Sequence, residues 1–334
     1  MNPILILSAF LMASGMLNAQ TPKELVVKGT QFERGGEHFE YTGISFFNAL
    51  FNNDFNASQQ ERKGYLEKFQ NHGINVLRVW CQWDNARGFV DAGKGQSLYK
   101  NDGNLDRVVF GRLTSLLDDA EAMDMVVLLV LFSRESWNEG IILEDAASEL
   151  AVGELAKRLK SHRNLIFQIW NEHDYRTVDY LKIIKSIDPM RLVTNSPGYA
   201  GVLGSPQENL SLDFLSPHTS RNDDRHWEIA PDEVRYLLTK YQKPVVDDEP
   251  ARKGTPQFGG PKTPTHASDH IIHTYTVWKE GGYVIYHHDM FQTGYGTEPI
   301  PQNGIPLPGF SSYHDEVFAF LKNKERYLKQ LGVR

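Results

Sequence analysis

What most constrains the fold of this chain is a pairing that recurs along it: apolar residues at helical spacing, followed at once by a short run that is almost wholly apolar. Leu105, Val109, Leu113, Leu116 and Ala120 keep the helical period before "VVLLVLF", and Leu143, Ala147, Leu150 and Leu155 keep it before "LIFQIW". Tyr180, Ile184 and Ile187 precede "RLVTN" and Val234, Leu237 and Tyr241 precede "KPVVDDE". Ile271, Tyr275 and Trp278, closed by Gly281 and Gly282, precede "YVIYHH". Nearer the start, Ser58 and Glu61 form a capping box for a helix with Tyr65 and Phe69 on one face; it stops at Gly73, and "INVLRVW" follows. A first strand is expected near Phe39 to Gly43. "LDFLSPH" reads as a further strand, with no helix expected in the segment Tyr199 to Leu210 before it, and Val317 to Leu331 predicts a closing helix.

Strands that are apolar on both faces belong in a parallel sheet covered by helices. Eight of them, alternating with amphipathic helices, predict an α/β fold of the closed (β/α)8 type, a TIM barrel. A doubly wound open sheet is the alternative, but it calls for a glycine-rich phosphate turn after the first strand, and "EYTGISFFN" is not one. No linker or low-complexity tract divides the chain, so a single domain is expected over residues 21–334, entered through a short β-hairpin that turns at Gly35-Gly36. The Pro- and Gly-rich stretches Gly254 to Thr265 and Thr297 to Pro308 follow strands seven and eight, where barrel loops lengthen to build a site.

The first twenty residues hold an apolar stretch that ends in small and polar residues and is too short for a membrane span. A signal peptide over residues 1–20, cleaved near Ala19 and Gln20, is expected, and with it a secreted or periplasmic protein, although no Lys or Arg precedes the apolar stretch. The single Cys81 excludes an internal disulfide. A formal net charge of -7 offers no broad basic field for nucleic acid or an anionic membrane, which leaves a neutral or small-molecule partner.

The C-terminal ends of barrel strands converge on one mouth, so polar residues there carry information. Asn171 and Glu172 end the fourth strand and Glu249 ends the seventh, on opposite sides of the barrel. Two carboxyl groups facing each other can protonate a glycosidic oxygen from one side and attack the anomeric carbon from the other. Trp80, Trp83, Phe46, Phe47, Trp137 and Trp170 are candidate platforms for apolar sugar faces. In "DDE", strand alternation is expected to turn Asp248 away from the face shared by Asp247 and Glu249, and Arg78 is placed to pair with Asp247 or Asp84 if its role is structural.

These motifs resemble the large clan of retaining (β/α)8-barrel glycoside hydrolases, especially its cellulase- and mannanase-like members, from about Val26 to the end of the chain. The resemblance implies Glu172 as acid/base, Glu249 after the Lys243-Pro244 opening as nucleophile, and Asn171 on the sugar 2-hydroxyl. It likewise implies Arg78 in "VLRVW" as the holder of the nucleophile and His218 in "SPHTS" as the strand-six histidine, with a carbohydrate substrate, no cofactor and no metal. Three positions depart from the clan. Ser220 stands where an aromatic residue follows the strand-six histidine, and Ser133 stands where strand three often ends in histidine. The eighth strand has Tyr286, His287 and His288 in place of tryptophan, which makes Tyr286 and His287 candidate substrate-binding residues.

Twelve histidines, among them His173 beside Asp174 and the run His287-His288-Asp289, raise a second class, a metal-dependent hydrolase on the same barrel. The paired-histidine first strand of the amidohydrolase type is missing from "FEYTGIS". A non-catalytic carbohydrate-binding barrel is the third class, and retention of both Glu172 and Glu249 argues against it.

Overall fold

The computed structural model describes residues 24–83, 95–221, 223, 225–250, 266–287, 305–309 and 312–333. The expected signal peptide, Asp84, His288, Asp289 and most of the two Pro/Gly-rich stretches lie outside the described residues.

Seven parallel strands share one sheet: the first (Thr42–Phe46), second (Val76–Trp80), third (Val126–Ser133), fourth (Leu165–Asn171), fifth (Val193–Thr194), seventh (Val246–Asp247) and eighth (Tyr283–Tyr286). Their order around the sheet is fifth, fourth, third, second, first, eighth, seventh. The extended segment 213–218 fills the sixth position and closes the ring. Its Asp213 N donates to Val193 O at 3.0 Å, Leu215 N to Pro244 O at 3.0 Å, and Val246 N to Leu215 O at 2.8 Å. Helices Gln59–Gln70, Arg107–Ala122, Asp145–Arg158, Thr177–Ile187, His226–Tyr241 and Ala267–Lys279 return the chain between strands.

Alternation along the strands sorts the barrel interior into layers. Val76, Val126, Leu128, Ile166, Phe214, Val246, Tyr283 and Ile285 form one buried apolar cluster, floored by Leu25, Phe32, Phe39 and Tyr41 from the N-terminal hairpin region. Two residues further along the second, fourth and seventh strands come Arg78, Gln168 and Asp248, all fully buried. A greasy plug therefore supports a polar layer at the mouth.

Local details differ from the sequence expectations. The first strand starts at Thr42 rather than Phe39, because Phe39 and Tyr41 belong to the floor cluster. A short helix, Pro206–Ser211, forms where none was expected; the Ser205 side chain accepts from Glu208 N and Pro206 opens the first turn, a strong local start for so brief an element. The closing helix begins at Ser312 and breaks into Ser312–Lys322 and Lys324–Leu331, where Lys324 Nζ turns inward to Thr42 Oγ1 at 2.9 Å and Gly73 O at 2.7 Å. Leu150 is exposed; helix Asp145–Arg158 buries Ala151, Val152, Leu155 and Ala156 instead.

Candidate active site

The polar layer begins with Arg78. From the second strand its Nε donates to Gln168 Oε1 at 2.8 Å, Nη2 to Asn171 Oδ1 at 2.6 Å, and Nη1 to Glu249 Oε1 at 3.1 Å; Nη2 also lies 3.1 Å from Asp248 Oδ2. One buried guanidinium thus ties the ends of the fourth and seventh strands together, and its carboxylate partners are Asp248 and Glu249 rather than Asp247. Asp248 shares the barrel lumen with Val246, while Asp247 points outward to Thr219 Oγ1 at 2.7 Å and His273 Nε2 at 2.6 Å. The alternation expected through "DDE", with Asp247 and Glu249 on one face and Asp248 turned away, does not hold. The paired strand ends at Asp247, so the pleat does not fix the direction of Glu249.

Glu172 directly follows the fourth strand with φ +58, a left-handed conformation that costs a glutamate about 1 kcal/mol or more and is found where a site over-determines the backbone. The two residues that follow the fifth strand supply the restraint. Asn195 Oδ1 accepts from Trp170 N at 2.8 Å, its Nδ2 donates to His173 O at 2.8 Å, and Ser196 O accepts from His173 N at 3.1 Å. Backbone bonds on both sides of Asn171-Glu172 therefore hold the turn.

His218, buried at the end of the sixth segment, meets Glu172 Oε1 through Nδ1 at 3.2 Å, and through Nε2 it meets Ser196 Oγ at 2.8 Å and Asp248 Oδ1 at 3.1 Å. Burial opposes its charge, but Glu249 and Asp248 outweigh burial and raise its pKa to about 9. Arg221, three residues on, was not singled out from the sequence. Its Nη1 donates to Glu249 Oε2 at 2.6 Å and its Nη2 to Glu172 Oε1 at 3.0 Å, so a single side chain bridges the two glutamates. Ser220, the position where the clan has an aromatic residue, turns away and donates its backbone N–H to Glu233 Oε2 at 2.7 Å. Burial pushes the Glu172 carboxyl up, yet its hydrogen bond to His218 and the charges of His218 and Arg221 hold it down to about 2, against the upward push of Glu249. The charges of His218 and Arg221 thus favour the Glu172 carboxylate, a direction opposite to the rise that burial and the charge of Glu249 would cause by themselves.

A third carboxyl also went unnoticed in the sequence. Ser133 caps the short helix Arg134–Asn138, accepting from Ser136 N at 3.1 Å, and the first turn of that helix brings Glu135 to the site, where Oε2 accepts from Asn171 Nδ2 at 3.2 Å. Burial, with the charges of Glu172 and Glu249, pushes the Glu135 carboxyl up to about 8. The signal for both missed residues was position: "SRES" and "SPHTSR" each run a charged residue past a strand end.

The aromatic candidates divide. Trp80 lies under the Arg78 guanidinium at 4.5 Å and against Phe47 at 4.5 Å, and Phe47 also meets Trp83 at 5.2 Å and His287 at 5.0 Å. His287 faces the site, with Nδ1 3.0 Å from Ser45 Oγ and Nε2 3.7 Å from Glu249 Oε2. Tyr286, expected to touch substrate, does not reach this layer. Ile285 fills the barrel interior, so the next side chain points out, and Tyr286 is buried among His270, His314 and Phe318 of the surrounding helices. Trp170 is likewise buried behind the site, packed on Phe132 and stacked on Trp137 at 5.0 Å, with Nε1 donating to Tyr175 O at 2.7 Å. Phe46 faces the outer core, against Phe55 and Phe69.

Among the described residues, Glu172, His218 and Glu249 bring ligand atoms within 4.8 Å of one another. This trio fits a metal ion poorly, since the guanidiniums of Arg78 and Arg221 already occupy the carboxylate oxygens that an ion would need. His173 turns toward Trp137 and Trp170 and accepts from Asp174 N at 2.9 Å, so it does not join them. What remains is a pair of carboxyl groups, with oxygens within 4.8 Å of each other, over a cationic base: two carboxyls close enough to act on the same glycosidic bond.

Comparison with known proteins agrees with the fold. Solved structures with the same fold include a glycoside hydrolase family 5 protein from Bacteroides vulgatus, 19% identical with a TM-score of 0.67 over 90% of this chain and 71% of that one. A family 5 mannosidase from Rhizomucor miehei is 13% identical with a TM-score of 0.62, covering 92% of this chain and 99% of its own. A β-1,4-D-mannanase from Cryptopygus antarcticus is 13% identical with a TM-score of 0.57, covering 90% and 94%. Among curated proteins none matches. Residues 32–208, more than half of the chain, match the cellulase family model, glycosyl hydrolase family 5, and the chain accordingly belongs to that family as a retaining glycoside hydrolase on a (β/α)8 barrel.

Proposed function

We propose that this protein cleaves β-glycosidic bonds of a poly- or oligosaccharide, with Glu249 as nucleophile and Glu172 as acid/base, after export from the cytoplasm. The observation that carries the reading is the approach of the two glutamates to within 4.8 Å under the shared Arg221. Glu249, held by Arg78 and Arg221, attacks the anomeric carbon as the leaving oxygen takes a proton from Glu172. Water, deprotonated by Glu172, then releases the sugar with its β configuration restored. Neighbours named for mannans put β-mannan first on a substrate panel, followed by β-glucans.

Proton NMR of the first product formed tests the reading. A first-formed β-anomer is expected, and Glu249→Ala is expected to lose turnover and to form the α-glycosyl azide when azide fills the vacated space. A first-formed α-anomer would sink it. Glu172→Gln should slow substrates with poor leaving groups by about 10²-fold or more and activated aryl glycosides far less.

A further inference from the structure

We propose that His273, on the helix Ala267–Lys279 that packs outside the barrel, is a positioning residue for the reaction: with Asp247 and Thr219 it clamps the mouth ends of the sixth and seventh strands, and so keeps Arg221 on both glutamates. The inference rests on the reading of Glu249 as nucleophile and Glu172 as acid/base.

Backbone pairing between these two strands gives out early. In a parallel pair the bonds recur at every second residue, and Leu215 N donates to Pro244 O at 3.0 Å and Val246 N to Leu215 O at 2.8 Å. The next donor in register is residue 217, a proline with no N–H to give. Side chains take over from that point. On the outer side Thr219 Oγ1 donates to Asp247 Oδ2 at 2.7 Å, which joins the two strands, and His273 Nε2 donates to the same oxygen at 2.6 Å. The other oxygen, Asp247 Oδ1, is buried and accepts no hydrogen bond among the described residues. Two donors therefore orient a fully buried carboxylate, and a bond to a charged group is the strong kind.

The same imidazole reaches the chain on both sides of Arg221. Arg221 N donates to Thr219 O at 2.6 Å, and Thr219 Oγ1 stands 3.3 Å from His273 Nε2. Five residues after Arg221, the ring of His226 stacks on that of His273 at 5.2 Å and brings Nδ1 to 3.1 Å from His273 Nδ1, so one of these nitrogens donates to the other. Thr219, His226, Asp247 and His273 are all fully buried. On the inner side Arg221 then reaches Glu249 Oε2 at 2.6 Å and Glu172 Oε1 at 3.0 Å. Releasing the outer clamp frees the backbone that aims this guanidinium, and a misplacement of about 1 Å in a reacting constellation costs about 10²-fold in rate.

The test measures kcat and KM on an aryl β-glycoside for His273→Phe, which keeps a ring without a donor, His273→Gln, whose amide can replace the Nε2–H, and Thr219→Val, with circular dichroism to show that each is folded. His273→Phe and Thr219→Val are expected to lower kcat by about tenfold or more with KM within about threefold, and His273→Gln to recover most of the loss. In an Arg221→Met background His273→Phe should cost less than about twofold further, because its effect runs through Arg221. A loss that adds in full to that of Arg221→Met, or equal kcat in the Phe and Gln variants, overturns the positioning role. Thr219→Val, made in the same Arg221→Met background, supplies the measurement if His273→Phe fails to fold. Undiminished turnover by Glu249→Ala would instead overturn the nucleophile reading, and this inference with it.

Discussion

Arg221 shows at the scale of one residue how the site balances its charges. A planar guanidinium can fork to two carboxylates at once, which lysine cannot do, so Arg221 holds Glu249 and Glu172 in one geometry while favouring the anion of each. Arg221→Met is expected to lower kcat/KM by about 10²-fold, the cost of removing hydrogen bonds between buried charged groups, and Arg221→Lys should restore only part of it. Because Arg221 is one of the groups that hold Glu172 low, its loss should move the Glu172 titration to higher pH, a change readable by ¹³C NMR of labelled glutamate. An unmoved Glu172 titration would mean that His218 alone sets it. Tyr286 gives the opposite expectation. It is buried on the outer side of the barrel, so Tyr286→Phe should leave KM unchanged on any substrate and affect only stability, by about 1 kcal/mol in thermal melts.

Between single residues and the whole barrel stand the strand ends, where sequence legibility changes. The second and fourth strands were readable because long apolar runs name them, and Arg78, Asn171 and Glu172 could be placed by counting along those runs. The same counting failed for Asp247 and Asp248, because the paired seventh strand is only two residues long and its parity cannot be extended to Glu249. Arg221 and Glu135 lie past strand ends in a short loop and a five-residue helix, where no period exists to aim a side chain. Elements also set the tolerance of the site's frame. A Cβ on Gly43 would lie 2.7 Å from Ile285 Cγ1, at the seam between the first and eighth strands. Gly43→Ala should then destabilise the fold by about 1–3 kcal/mol through overpacking, with the melting temperature as readout and kcat/KM of the folded fraction preserved. Asn195→Ala should do the reverse: it removes a bond to the backbone on each side of Asn171-Glu172, and kcat should fall by about tenfold or more while the barrel stays folded.

For the molecule as a whole, the strand-helix rhythm carried the architecture, since eight short apolar runs with helical stretches between them leave few closures other than the barrel. What the rhythm could not carry is the set of buried titrating groups, which depends on contacts between residues far apart in the chain, and these groups dictate how stability varies with pH. Glu208, raised to about 7 by burial, and Glu135, raised to about 8, sit above the ordinary glutamate value, so each contributes stability that is full below that value and lost as pH rises through the folded pKa. His218, raised to about 9, contributes stability present below its ordinary value of 6.5 and lost as pH climbs through 9. Three groups thus weaken the fold on the alkaline side. Glu172, held down to about 2, and His314, lowered to about 4 by burial, work in the other direction, losing their contributions as pH falls through those values. The melting temperature is therefore expected to peak at about pH 4.5, the ordinary glutamate value above which the two raised carboxyls lose more than His314 gains, and to fall toward both pH 3 and pH 9, as judged by calorimetry across that range. Glu208→Gln, which removes a carboxyl that must ionise in a buried setting, should flatten the decline between about pH 5 and 7.5 without touching the decline near 9; a profile unchanged by that substitution would show that Glu208 ionises in the folded state at its ordinary value.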